Sequence, residues 1–247
     1  MTPLPVVLIH GLLGALDDER VLKALQPRQA VAPDLLGYGR NADFCGRIDL
    51  TAQTAELERV LDRAAVPVAH LVGHSVGGVI AMLFAAEHPS RVASVVSVEG
   101  NFSLADAFWS ATFARLPPEE AERVLAADVS APGDWLSRAN VVVNADTLDL
   151  AKRWLSFQPA TTVQAMAASV VEVTSVPSYT ETLRSVFARK PVHLVCGELS
   201  RDGWDVPAWA LDAAASFTTL PGGHLMMADH PDRFARAVDS LVSSEDP

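Results

Sequence analysis

Apolar positions in this chain come in short solid runs rather than strict alternation. Val6–His10, Gln29–Ala32, Val68–Val72, Val92–Val98, Pro191–Cys196 and Ser216–Leu220 read as strands, most of them apolar at nearly every position. Such runs suit strands covered on both faces, as in a parallel sheet. Between them lie segments with helical spacing. Asp17–Leu25 is one. A second is capped by Thr51 and runs to about Ala64, with Leu57, Val60 and Leu61 on one face. Ser75–Glu87 is a third, stopped by His88-Pro89, and Pro207–Ala215 and Pro231–Val242 follow later. Strand and helix in turn predict an α/β fold, a mostly parallel sheet with helices on both faces. The rhythm breaks between residues 101 and 187, where helical patterns and loops dominate and no buried strand stands out between Asn101 and Ala139. The expected organisation is a core of residues 1–100 and 188–247 with a helical cap at 101–187.

Composition narrows the function classes. The 247 residues are 49% hydrophobic and 20% charged, a globular balance that excludes a disordered chain. The formal net charge of -11 repels phosphate backbones, so nucleic acid is not an expected partner. Cys45 and Cys196 are too few for a disulfide framework and read as free thiols of a cytoplasmic protein. No basic residue precedes Arg20, so the apolar start lacks the positive region of a signal peptide. No apolar run approaches the ~18–20 residues that span a bilayer, and no membrane association is expected. Neither a metal nor another cofactor is expected, because no His/Cys/Asp/Glu cluster has ligand spacing.

The chemistry concentrates at strand ends. Gly73-His74-Ser75-Val76-Gly77-Gly78 follows one apolar strand and opens a helix. G-x-S-x-G in that setting is a nucleophile elbow: the turn strains the serine backbone and presents its hydroxyl at a helix N-terminus, where amides favour developing negative charge. The ordinary alternative is a serine that caps a helix beside tightly packed glycines. Two amides are expected to form an oxyanion hole, that of Val76 after the nucleophile and that of Leu12 in the His10-Gly11-Leu12-Leu13-Gly14 loop. His224 follows Gly222-Gly223 after the last strand and is the candidate base. The His74 ring is expected to face away from substrate, and His10 to be structural.

These residues resemble the α/β-hydrolase family. His10-Gly11, the Asp34–Gly39 loop, Gly73–Gly78, Gly197 and Gly223-His224 occur in the family's order, over almost the whole chain outside the insertion. The resemblance implies a Ser–His–acid triad, an oxyanion hole from Leu12 and Val76, and a helical cap. The acid departs from the usual pattern. The family usually places an Asp three residues after the glycine that ends the strand matching Val192–Cys196, and here that position is Ser200. Serine cannot stabilise an imidazolium as a carboxylate does. Glu198, Asp202 and Asp205 stand nearby, with Asp202 the main candidate among them. The other candidate is Glu99, which ends the strand after the nucleophile helix, where some members, including haloalkane dehalogenases, carry the acid. Glu99 is favoured, because a carboxylate ending an apolar strand is costly unless it has a partner.

Phe102, Phe108, Trp109 and Trp154 are candidate substrate-binding residues of an apolar pocket, although aromatics of this kind also pack a cap onto its core. Arg115, Arg138 and Arg153 are the candidates to bind a carboxylate or phosphate, but each reads more readily as a surface residue, which leaves an uncharged or acyl small molecule as the expected substrate. The expected activity is hydrolysis of an ester, thioester or lactone through an acyl-enzyme. Cofactor-free lyase or oxygenase chemistry and a ligand receptor without turnover are the alternatives on the same scaffold.

Overall fold

The computed structural model describes residues 3–246. Six strands form one sheet: β1 (Val6–Ile9), β2 (Ala30–Val31), β3 (Ala69–His74), β4 (Val92–Val98), β5 (Val192–Gly197) and β6 (Ser216–Leu220). Their order is β2-β1-β3-β4-β5-β6, and every neighbouring pair is parallel. Parallel neighbours need long crossovers, so the connections must run over the faces of the sheet. On one face α1 (Glu19–Ala24) packs against α12 (Pro231–Ser243). On the other, α3 (Val76–Glu87) lies against β1, β3 and β4, flanked by α2 (Leu50–Arg63) and α9 (Pro177–Phe187).

Sequence patterning explains these layers. All four residues of β1 are fully buried, as a strand with helices on both faces requires. Each such Val, Leu or Ile contributes about 1.5–3 kcal/mol by leaving water. α12 buries Phe234, Ala235, Val238 and Val242, one helical stripe, and is otherwise polar. α3 buries Val79, Ile80, Ala81, Met82, Phe84 and Ala85 and has no polar face, because sheet and helices surround it. Most element boundaries move by a residue or two from those expected, and two of the changes have a clear cause. Thr51 does not cap α2: Asp49 does, accepting a hydrogen bond from the Ala52 amide at 2.7 Å. The second strand shrinks to two residues, since it pairs only with β1 at the sheet edge.

Between β4 and β5 the chain forms α4 (Phe108–Arg115), α5 (Pro118–Ser130), α6 (Pro132–Arg138), α7 (Ala145–Leu155) and α8 (Ala160–Thr174) before α9. α8 packs on α4 and α5, and α6 on α7. α9 instead rests on α3, in the helical layer of the sheet. After β5 come α10 (Ala208–Ala213) and α11 (Met226–Asp229).

The N-terminal ends of the strands hold a polar clasp. The Arg28 side chain, 3% exposed, donates to Asp239 at 3.0 Å, to Asp246 at 2.8 Å and to the Leu4 carbonyl at 2.6 Å. Asp246 also accepts from the Leu4 amide at 2.9 Å and meets His70 Nε2 at 3.2 Å. The stretch after α12 is thereby pinned to the starts of β1 and β3.

Candidate active site

The chain enters at β1, visits the edge strand β2, and returns to place β3 on the other side of β1. That reversal is a topological switch point, where loops leaving the C-terminal strand ends diverge and open a crevice. A cavity of about 360 Å³ lies there, lined among others by Leu12, His74, Ser75, Glu99, Ser200 and His224. Its walls come from the loops after β1, β3, β4, β5 and β6 and from helices α4 and α6.

Ser75 sits between β3 and α3 with φ 53° and ψ -120°, a strained conformation for a residue with a side chain. Strain of this kind costs about 1–3 kcal/mol and persists only where the surroundings enforce it. Here they do. The Ser75 amide donates to the Val98 carbonyl at 2.9 Å, and the Gly78 amide to the Ser75 carbonyl at 2.8 Å. A Cβ at Gly73 would come within 2.3 Å of the Gly77 carbonyl oxygen, and one at Gly77 within 2.2 Å of the Ile9 carbonyl oxygen. Both positions therefore exclude any side chain, as the elbow spacing predicts. Ser75 caps α3 rather than opening it, and its side chain makes no capping hydrogen bond.

Glu99 follows β4 with φ 47°, and its carboxylate collects three donors. His224 Nδ1 lies 2.6 Å from Oε2. The Gly197 amide donates to Oε1 at 2.8 Å and the Ser200 hydroxyl to the same oxygen at 2.5 Å. Burial alone would raise the Glu99 pKa, but the His224 ring, the Ser200 hydroxyl and the Gly197 amide together hold it below the usual carboxylate value. An ionised carboxylate only accepts, so the proton of the bond to His224 belongs to Nδ1. The His224 side chain is 42% exposed and lines the cavity.

His74 does not face away. It lines the cavity, its ring 4.5 Å from that of His224, and its Nε2 donates to the His224 carbonyl at 3.0 Å. Burial first, and then the neighbouring His224, push its pKa down to about 3, so it is neutral at pH 7 and holds the His224 loop by a directed bond. Adjacent polarity in Gly73-His74-Ser75 was legible, but the direction of the ring depends on the distant His224 backbone.

The first loop is held from below. His10 is buried, its pKa lowered to about 4 by that burial, and its Nδ1 lies 2.9 Å from the Gly11 carbonyl. The Tyr38 hydroxyl donates to the Leu12 carbonyl at 3.1 Å. A trans peptide sets C=O and N–H in opposite directions, so anchoring the Gly11 carbonyl also fixes where the Leu12 amide points. Leu12 lines the cavity, and Val76 is the first residue of α3 directly after Ser75.

The remaining sequence candidates separate. Asp202 lies exposed in the short turn Arg201–Gly203 and is not among the residues lining the cavity. Phe108 and Trp109, at the start of α4, do line it and stay 60% and 45% exposed at its rim. Phe102 and Trp154 do not. The Phe102 amide is tied to Asp106 at 2.8 Å, which turns its ring toward Phe187, Trp204 and Trp209. Trp154 is buried against Gly14. Trp135, Trp204 and Leu199 line the cavity instead, with Asp106, Arg138 and Asn140 as polar neighbours. Helical or turn spacing in 101–187 carries no information on which aromatic meets the core loops. Burial pushes the Asp106 pKa up to about 6 against the pull of the Phe102 and Ser103 amides. Among the described residues no group of three or more His, Cys, Asp or Glu could hold a metal ion, and no helix is long and apolar enough to cross a membrane.

Comparison with known proteins agrees with this architecture. The alpha/beta hydrolase family model matches residues 6–237. A "Putative carbamate hydrolase RutD" of Azorhizobium caulinodans is 37% identical over 106 residues, 42% of this chain and 40% of that protein. The match thus spans well under half the length of that curated relative. Among solved structures, a thermophilic esterase from Thermogutta terrifontis has a TM-score of 0.70 at 20% identity, covering 100% of this chain and 92% of that one. A haloalkane dehalogenase variant from Bradyrhizobium elkanii reaches a TM-score of 0.74 at 20% identity, covering 98% of this chain and 90% of that one. With a strained serine turn at the switch point and a family match over nearly its whole length, the chain belongs to the alpha/beta hydrolase family.

Proposed function

We propose that the protein is a serine hydrolase that cleaves a carboxylic ester, thioester or lactone through an acyl-enzyme. The observation that carries this reading is the Glu99–His224 pair, 2.6 Å apart, in one cavity with a serine held at φ 53°. In this mechanism His224 Nε2 takes the Ser75 proton as Oγ attacks the substrate carbonyl carbon. Glu99 keeps the ring in the tautomer that leaves Nε2 basic and stabilises the imidazolium that forms. The amides of Leu12 and Val76 hold the oxyanion, each worth ~2.7–4 kcal/mol of transition-state stabilisation in such a site. The imidazolium then protonates the leaving alcohol, thiol or ring oxygen, and a water activated by the same nitrogen releases the acyl group.

Helices α4–α8 act as the cap that shapes the pocket, while α9 belongs to the core layer. The rim aromatics Phe108 and Trp109 favour an apolar or acyl portion of a small-molecule substrate. The curated relative named for carbamate hydrolysis fits the same acyl chemistry, with a carbamoyl group in place of an acyl one.

A fluorophosphonate probe tests the reading. Covalent labelling at Ser75, abolished in Ser75→Ala together with turnover on an ester and thioester panel, is the expected outcome. Retention of most turnover in Ser75→Ala points to non-hydrolytic chemistry on this scaffold. Absence of both labelling and turnover leaves a binding protein.

A further inference from the structure

Ser200 stands three residues after Gly197 and lines the cavity beside Glu99. Its hydroxyl lies 2.5 Å from Glu99 Oε1, within the range of charge-assisted O–H···O⁻ bonds. The same hydroxyl is 3.4 Å from the Gly197 carbonyl, a much weaker alternative for its one proton. The Gly197 amide reaches Oε1 as well, so both donors from the β5 end converge on one carboxylate oxygen and leave the other for His224. A glutamate side chain has three rotatable bonds, and it begins here just after a strand that neighbours β5 but not β6, whose loop carries His224. Without a second anchor its carboxylate could rotate and still bury itself. With Oε1 pinned by two donors, Oε2 has one place to go.

We infer that Ser200 is a positioning residue for the Ser75–His224–Glu99 assembly: its hydroxyl clamps Glu99 Oε1 so that Oε2 orients the His224 ring. The inference rests on the triad proposed above. Ser200 does no proton chemistry of its own. It contributes twice, by removing rotational freedom from Glu99 and by favouring the charged carboxylate in a buried site. The sign of the second effect follows directly. A donor on Oε1 stabilises the deprotonated Glu99–His224 pair more than the pair that has taken up a proton. Removing it makes protonation of the pair easier and moves the acid limb of the rate to higher pH.

Ser200→Ala and Ser200→Thr are compared with the parent protein by the rate of fluorophosphonate labelling of Ser75 across pH. The ring-proton resonance of the Glu99-bound histidine is followed by NMR in the same proteins. For Ser200→Ala we expect labelling about tenfold slower, an acid limb displaced to higher pH, and a shifted ring-proton resonance. Ser200→Thr, which keeps the hydroxyl, restores all three toward the parent. Unchanged labelling, pH profile and resonance in Ser200→Ala overturns the inference. Equal losses in the alanine and threonine variants also overturn it, because side-chain shape rather than the donor would then be at work. If the parent protein does not label but the resonance still moves in Ser200→Ala and returns in Ser200→Thr, the clamp stands and the serine-hydrolase reading falls.

Discussion

Two carboxylate–histidine pairs occupy opposite ends of the strands of the same sheet, and they differ in what is left over. Glu99 and His224 meet at the C-terminal strand ends, and Asp246 and His70 at the N-terminal ends, 2.6 Å and 3.2 Å apart. His70 is fully buried and both of its ring nitrogens are taken, Nδ1 by Ser94 at 2.8 Å and Nε2 by Asp246. Its carboxylate partner is in turn saturated by Arg28 and the Leu4 amide. His224 has Nδ1 tied to Glu99, while the side chain is 42% exposed and lines the cavity. Proximity of acid and imidazole is therefore shared by a clasp and a candidate catalytic site. What separates them is exposure: one ring is sealed in the core with both nitrogens bonded, and the other borders a cavity.

Mutation should break the comparison cleanly. Glu99→Gln is expected to lower kcat by on the order of 10³–10⁴-fold, because an amide can no longer enforce the Nδ1–H tautomer. Asp246→Asn should leave kcat within about twofold. Asp202→Asn, altering an exposed turn outside the cavity, should do the same; a larger loss there than in Glu99→Gln would move the acid back to the loop after β5. Steady-state rates on whichever ester is turned over provide the measurement.

Stability should show the reverse ranking. Arg28→Met leaves Asp239 and Asp246 without their shared cation and is expected to cost about 2–3 kcal/mol. For a chain of this length each kcal/mol corresponds to roughly 2–4 °C in Tm. Calorimetry of Arg28→Met should show that drop while fluorophosphonate labelling of the folded protein keeps its parent rate.

The pH dependence sharpens the contrast further. The clasp holds Asp246 below the usual carboxylate value, chiefly through Arg28, so its contribution is present above the ordinary Asp range and is lost as pH falls from that range through its lowered value. His10 and His74 are lowered to about 4 and about 3, so between those values and ~6.5 the unfolded chain binds more protons than the folded one. Stability should fall as pH drops from 7 toward 4. Asp106, raised to about 6, works the other way: its folded form binds more protons between the ordinary Asp value and 6, so it offsets part of the loss. Tm measured from pH 7 to pH 4 should decline, and more steeply in Asp106→Asn, which lacks that offset. A flat profile in the parent would contradict the buried, neutral states of His10 and His74.

The smallest expected effect concerns the rim. Trp109→Ala should raise KM for apolar acyl substrates by about fivefold with little change in kcat, consistent with the partial burial a half-exposed aromatic offers. Phe102→Ala should instead lower Tm, because its ring packs among Phe187, Trp204 and Trp209 away from the cavity.

Local pattern alone marked the strands, the major helices, the parallel layered architecture and the strained serine turn. Most of this depends on neighbours in sequence: solid apolar runs need two covered faces, and Gly73 must lack a side chain because its own turn brings the Gly77 backbone within bond-like distance, whereas Gly77 is excluded by the end of β1. The departure at Ser200 was visible through the resemblance to the family, as an absent carboxylate at one position and another available at Glu99. Other features depended on contacts between segments far apart in the chain. Ser200 and Glu99 are separated by 101 positions and His74 and His224 by 150, and nothing periodic links them. Which aromatics meet the cavity was equally hidden, since Phe102 and Phe108 look alike until the Asp106 turn sends one ring into the core and leaves the other at the rim. Secondary structure is written in short-range sterics and burial. The direction in which a histidine points, and the hydroxyl that holds its carboxylate, arise only when β4, β5 and β6 are laid side by side.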